Sequence, residues 1–371
     1  MKNKIAHLIV SLGSGGAERT LYNLTTLDLN NNHQIITLKK DKFYRKKFIQ
    51  KNIKITEFDF VNNTKILEFF KLVKLLKSEK PDILQTWLYH SDFIGSIAGK
   101  LAGIKNIIWN IRGTIKTKMT IKELLYYKLL SIFSYYFPKK IISCSAEAIK
   151  QHVKFGYRNG IFNYIPNGIF IKKVKKIKKF ENSFLKKYKL NHKIVISMIA
   201  RYHDQKNHTF LIDSFFELEK YFKDELVLLL IGKNIKKNLY NELLDKNQIK
   251  NKVIFLDEVE NISDFFTYID LHVLTSSYGE GFPNVILETL SNKIPNISSD
   301  IGDAKLIINN DKLIFEKLNK KEFIYILKNT IFKIKNKEKL FYNYVNQRSF
   351  QLMQEYSIEN MLSGYRKIWE R

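Results

Sequence analysis

Short apolar runs alternate along the chain with longer segments in which apolar residues return every three or four positions, a pattern that predicts strand and helix in turn. Ile5 to Val10 reads as a buried strand, Ala17 to about Asn30 as a helix, Gln34 to Leu38 and Ile53 to Phe58 as further strands. Thr64 to Lys77 carries Ile66, Leu67, Phe69, Phe70, Val73 and Leu76 at helical spacing, and Pro81 to Thr86 restarts a strand. Ile107 to Asn110 and Lys140 to Cys144 continue the series. A second series has strands at Val195 to Ile199, Leu226 to Ile231, Val253 to Leu256, Leu271 to Leu274 and Ile294 to Ser298, with helices between them. Strands separated by helices imply parallel, doubly wound sheets.

Between the two series, turn residues Ile165-Pro166-Asn167-Gly168 lead into the lysine-rich stretch Lys172 to Lys179, which reads as a linker. Since 371 residues exceed what one core usually supports, two domains are expected. The boundaries drawn are 1–170 and 171–355, with a last helix over 356–371 crossing back to the first domain.

Charge changes the picture by its position. The chain is +27, yet residues 1–180 hold 34 Lys/Arg against 11 Asp/Glu, whereas residues 181–371 hold 29 against 25. A coding bias acting on the whole chain does not produce that split, so the first half is expected to face something anionic. Nucleic acid is the rival partner, but no reading motif and no aromatics interleaved on a basic sheet support it. The single cysteine, Cys144, excludes an internal disulfide and fits a reducing compartment. The N-terminus lacks a signal-peptide pattern, and the apolar stretch Leu129 to Pro138 is too short to cross a bilayer, so a cytoplasmic protein is expected. Lys116 to Lys140 surrounds many aromatic and aliphatic residues with lysines, which suits either a helix lying in an anionic membrane interface or a core helix with a basic outer side.

Three segments carry candidate chemistry. Ser14-Gly15-Gly16-Ala17-Glu18-Arg19 follows the first strand and opens a helix, so its amides can meet a phosphate. Arg201 and Lys206 follow the first strand of the second series, where a forked guanidinium and a point-charge ammonium can hold a diphosphate. Glu280-Gly281-Phe282-Pro283-Asn284-Val285 then runs from a loop into a helix that carries Glu288, eight positions after Glu280. Pro283 suits the first turn of that helix, whose free N–H groups make an anion site.

This last spacing resembles the Glu-x7-Glu motif of family 4 retaining glycosyltransferases, and Arg201 with Lys206 matches that family's Gly-Arg-x4-Lys-Asn apart from Ala200 in place of Gly. The likeness covers nearly the whole chain. It implies the GT-B fold, two Rossmann-like doubly wound domains facing a central cleft. It also implies transfer of a hexosyl or N-acetylhexosaminyl group from a nucleotide sugar, expected to be UDP-linked, to a growing, polyprenyl-linked or other glycan of a bacterial surface polysaccharide or glycoconjugate, at the inner face of the cytoplasmic membrane. A GT-B enzyme acting on soluble sugars is the rival within enzymes. Under the resemblance Glu280 contacts sugar hydroxyls, Glu288 the ribose, and Arg201 and Lys206 the diphosphate, while Gly16 and the segment of Gly281, Phe282, Pro283, Asn284 and Val285 line the donor. Gly15, Arg112 and His90 are candidate acceptor or phosphate contacts, because the family's usual His in the first domain is replaced by Trp109-Asn110-Ile111-Arg112. No Asp-x-Asp motif occurs, so metal-independent transfer without a cofactor is expected.

Overall fold

The computed structural model describes residues 2–116, 119–170, 184–244, 252–259 and 261–370, and gives no side-chain account of residues 240–244. It divides into two compact units, one of residues 1–168 with 358–371 and one of residues 169–357. The linker expected over Lys172 to Lys179 and Lys118 of the basic segment lie outside the described residues.

The first unit holds seven strands: β1 (Lys4–Ile9), β2 (Asn32–Thr37), β3 (Lys54–Glu57), β4 (Ile83–Trp87), β5 (Ile107–Ile111), β6 (Lys140–Ser143) and β7 (Phe162–Tyr164). They form one sheet in the order β3-β2-β1-β4-β5-β6-β7, parallel throughout. Both faces are covered, so inward residues alternate between two cores. On β1, Ala6 and Leu8 pack with Leu72, Leu76, Ala98 and Leu130 from the helices on one face. Ile5 and Ile9 pack on the other face with Leu21 and Leu24 of the Gly16–Leu27 helix and with Met361 and Tyr365 of the Ile358–Trp369 helix.

The second unit's sheet has the order β10-β9-β8-β11-β12-β13, built from β8 (Ile194–Ile199), β9 (Leu226–Ile231), β10 (Val253–Leu256), β11 (Leu271–Leu274), β12 (Asn296–Ser299) and β13 (Ile314–Phe315). Every residue of β9 is buried, as a parallel strand sandwiched between helices requires. In each sheet the strand order reverses beside the first strand, between β1 and β4 and between β8 and β11. Loops leaving the carboxyl ends of strands at such a switch point form ligand crevices. The candidate segments at Ser14–Arg19, Ala200–Asn207 and Thr275–Pro283 all leave these strands.

Local differences from the expected boundaries have local causes. The first helix ends at Leu27, not near Asn30, because the Asp28 side chain is taken by Asn31, His33 and Arg366. Pro283 is the N-cap of the Asn284–Ser291 helix and does not stand in its first turn.

Candidate active site

The second unit gathers most of the predicted residues. From β8 the chain turns through Ala200, whose N–H donates to the Ile231 carbonyl (2.9 Å), and through Tyr202, whose N–H donates to the Lys233 carbonyl (2.9 Å). Arg201 between them is exposed and makes no hydrogen bond or ion pair among the described residues. Lys206 lies further along this loop. It is held from behind by Thr275, whose hydroxyl lies 3.0 Å from the Lys206 carbonyl and 3.1 Å from that of Asn207.

The ammonium of Lys206 forms an ion pair with Glu280 Oε1, and the Ser276 hydroxyl donates to the same oxygen (2.9 Å). Ser276 is in turn anchored at its carbonyl by the Ser299 hydroxyl (2.6 Å), so β12 supports the carboxylate loop. Gly302 is required by that packing. Its φ is +51°, and a Cβ there would run into the carbonyls of Glu280 and Gly281.

Two helices begin beside this pair without a side-chain cap. One is His208–Phe222, with Asn207 as N-cap at φ +54°, and the other is Asn284–Ser291, which carries Glu288 on its second turn. The positive dipole ends of both helices favour an anion. Phe282 and Pro283 are buried, and Asn284, Val285 and Glu288 are half-buried on the helix that follows. Sequence reasoning missed His208 and His272. Both are buried and neutral, their pKa lowered to about 4 first by desolvation and also by the nearby charge of Lys206.

In the first unit the predicted residues are differently employed. Gly15 is the N-cap of the Gly16–Leu27 helix, and the space that a Cβ would fill there holds the Glu18 carboxylate. A phosphate entering at Gly15 and Gly16 must first turn Glu18 away. The Arg112 guanidinium donates to Thr20 Oγ1 (2.9 Å), to Asn167 Oδ1 and to the Tyr365 hydroxyl (3.5 Å), and stacks over Trp87 at 5.7 Å. It therefore ties the end of β5 to the first helix, to Asn167 and to the C-terminal helix. His90 stands exposed on the first turn of the Tyr89–Leu101 helix with its ring 5.5 Å from Tyr126, and no hydrogen bond joins it to Arg112. Its neighbour Asp92 is buried, accepts from Thr86 Oγ1 (2.5 Å), and has its pKa pushed well up by desolvation. Burial disfavours the ionised form of that carboxyl, which does not reach solvent to serve as an exposed base.

Comparison with known proteins bears on the fold and the family. Residues 14–173 match the family model described as Glycosyltransferase Family 4, and residues 180–343 match that described as Glycosyl transferases group 1. An uncharacterized glycosyltransferase of Methanocaldococcus jannaschii is 29% identical over 257 residues, 62% of this chain and 58% of the relative. A protein of Escherichia coli named UDP-Gal:alpha-D-GlcNAc-diphosphoundecaprenol alpha-1,3-galactosyltransferase is 28% identical over 248 residues, 65% of this chain and 63% of the relative. The chain thus aligns with less than two thirds of the length of either. Among solved structures, Anabaena HepE in complex with UDP superposes with a TM-score of 0.85 over 99% of both chains at 16% identity, a likeness of fold. The chain belongs to the glycosyltransferases of the GT-B fold, with two Rossmann-like parallel-sheet domains.

Proposed function

We propose that this protein transfers a hexosyl or N-acetylhexosaminyl group, with retention of configuration, from a UDP-linked sugar to a glycan growing on a polyprenyl diphosphate, in the synthesis of a bacterial surface polysaccharide. The observation that carries the reading is the Lys206–Glu280 ion pair, set at a sheet switch point between two uncapped helix N-termini. Cation and helix ends suit a diphosphate, and a carboxylate beside them suits sugar hydroxyls. Charge developing on the departing nucleoside diphosphate is met by Lys206, Arg201 and the helix N–H groups, so the protein itself supplies what a divalent cation would. The E. coli relative's UDP-Gal donor and diphosphoundecaprenol acceptor support the donor and acceptor classes. In this reading the second unit holds the donor and the first the acceptor, with His90 and Arg112 on the acceptor side.

An anionic membrane surface is the proposed partner of the first unit. The Lys65–Glu79, Tyr89–Leu101 and Ile121–Tyr136 helices cover the same face of the sheet. Their outer sides leave Ile66, Leu67 and Phe70 exposed on the first helix and Ile121, Leu125, Ile132 and Tyr136 on the third. The Ile121–Tyr136 helix thus combines the two readings of its sequence: Tyr127 and Leu130 face the core, and an apolar outer side lies among lysines. No helix among the described residues is long and apolar enough to cross a membrane, so we assign a peripheral position on the inner face of the cytoplasmic membrane.

A thermal-shift screen of nucleotide sugars, followed by transfer assays on a polyprenyl-diphosphate-linked glycan, tests the activity. A UDP-sugar is expected to raise the melting temperature and to be consumed. If no nucleotide sugar stabilises the protein and none is turned over, the reading is wrong. Sedimentation of the full chain with anionic vesicles tests the partner. Binding is expected to fall with salt and with Ile121→Ser, Leu125→Ser and Ile132→Ser combined, and a protein that stays in the supernatant at low salt overturns the membrane assignment.

A further inference from the structure

We infer that His272, Asn296 and Thr289 form a buried positioning relay that fixes the Glu288 helix against the strands leading to Arg201 and Glu280. The inference rests on the donor reading of this site and goes beyond it by adding three residues that touch no substrate.

His272 is fully buried on β11 and faces Asn296 on β12 as its direct cross-strand partner. The Ile199 N–H, at the end of β8, points at His272 Nε2 (3.4 Å), which makes that nitrogen the acceptor and puts the ring proton on Nδ1. Nδ1–H then donates to Asn296 Oδ1 (2.7 Å). The Thr289 hydroxyl lies 2.9 Å from the same oxygen and 2.7 Å from the Val285 carbonyl of its own helix, so its one proton is shared between the two, and the Asn296 amide donates to the Ile294 carbonyl (2.8 Å), which fixes the amide's orientation. Neutrality of the ring, with its pKa held near 4 by burial, keeps this pattern in place at neutral pH.

Each end of the relay adjoins a candidate site residue. Ile199 stands two positions before Arg201, β11 runs directly into Thr275, Ser276 and Glu280, and Thr289 follows Glu288. Aliphatic side chains would fill these interior places without the cost of burying polar groups. Dispersion contacts alone, however, fix neither the rotation nor the rise of the helix, whereas the directional contact of Thr289 with Asn296, itself held by His272, constrains both. A displacement of about 1 Å at a reacting centre can cost ~100-fold in rate, so a relay of this kind is expected beneath a site and not merely within a core.

The test compares Thr289→Val, isosteric but unable to donate, with Thr289→Ser, which keeps the hydroxyl. UDP binding is measured by calorimetry well below the melting temperature, together with kcat and KM for the stabilising UDP-sugar. Thr289→Val is expected to weaken UDP binding or lower kcat about tenfold while unfolding cooperatively, and Thr289→Ser to restore both. His272→Asn gives a second break should Thr289→Val not fold, since the shorter side chain loses the acceptor for Ile199 N–H. Folded variants with a lowered melting temperature but unchanged UDP affinity and turnover would show a purely structural role and overturn the relay alone. Wild-type protein that binds no UDP and no other nucleoside diphosphate overturns the donor reading and the relay with it.

Discussion

The Lys206 ammonium and the Glu280 carboxylate neutralise one another across a loop pair, 74 residues apart in sequence and both largely shielded from solvent. The cation proposed to hold the diphosphate is thus paired with the acid proposed to hold the sugar. Under the proposed function, a nucleotide sugar would exchange this ion pair for two separate contacts, phosphate on Lys206 and hydroxyl on Glu280. Ser276 remains behind to hold the carboxylate in place.

Glu280→Gln is expected to lower kcat/KM by about 2–4 kcal/mol of transition-state stabilisation, roughly 30- to 1,000-fold, with the fold intact. The amide keeps the shape but offers one neutral acceptor and no charge to pair with the ammonium. Glu288→Gln is expected to act on donor KM as well, since Glu288 is proposed to meet the ribose. Steady-state kinetics with circular dichroism on both variants checks this, and wild-type turnover in both removes the assignment.

How far the sequence shows these features depends on whether the signal is local. Both parallel sheets are legible because runs such as Leu226 to Ile231 are apolar on both faces and are separated by helical periodicity. Arg201, Lys206 and Glu280 are legible as motif positions, but their meeting at one switch point is a product of strand order. β7 and β13 are missed because three and two residues give no period to detect, and Asn163 interrupts the apolar pattern. Arg112 reads as a free cation in sequence. Its partners Thr20, Asn167 and Tyr365 lie 92, 55 and 253 residues away, and no local pattern reveals them. His272 and Asn296 look like polar intrusions into strands until their pairing across β11 and β12 satisfies both.

Arg201→Ala should leave stability nearly unchanged, because the side chain is exposed and forms no bond among the described residues, yet weaken nucleoside diphosphate binding far more than nucleoside binding. Lys206→Ala should do the same to binding and also cost stability, since it strands a partly buried Glu280. Calorimetry with UDP and uridine separates these effects. Activity of the wild type is expected to survive EDTA, and a reversible loss on chelation would overturn the proposal that protein cations replace a metal.

Arg112→Lys is expected to destabilise the protein by about 1–3 kcal/mol, because a single ammonium cannot bond Thr20, Asn167 and Tyr365 together as the forked guanidinium does. Denaturant unfolding with tyrosine and tryptophan fluorescence reads this directly. An unchanged midpoint would mean that the guanidinium's bonds are worth little, and the acceptor-side role of Arg112 would then carry the whole reason for its presence.

Acid should destabilise this protein before its carboxylates titrate. His152, His208 and His272 are buried neutral, each with its pKa lowered to about 4 by desolvation, and burial holds His7 well below its ordinary value. In the unfolded chain these rings protonate near pH 6.5. Between pH 6.5 and 4 the unfolded state therefore binds more protons than the folded state. Stability that is complete above 6.5 falls as pH drops, by up to about 1.4 kcal/mol per pH unit for each ring. Asp92 works in the opposite sense: its raised pKa means that the folded state keeps a proton the unfolded chain releases, so its contribution declines as pH rises above its ordinary carboxylate range. Denaturant midpoints measured from pH 7 to 5 are expected to fall steadily, and His272→Asn should reduce the slope by about one proton's share. A flat profile over that interval would show that the buried rings titrate alike in both states, against the lowering that their burial imposes.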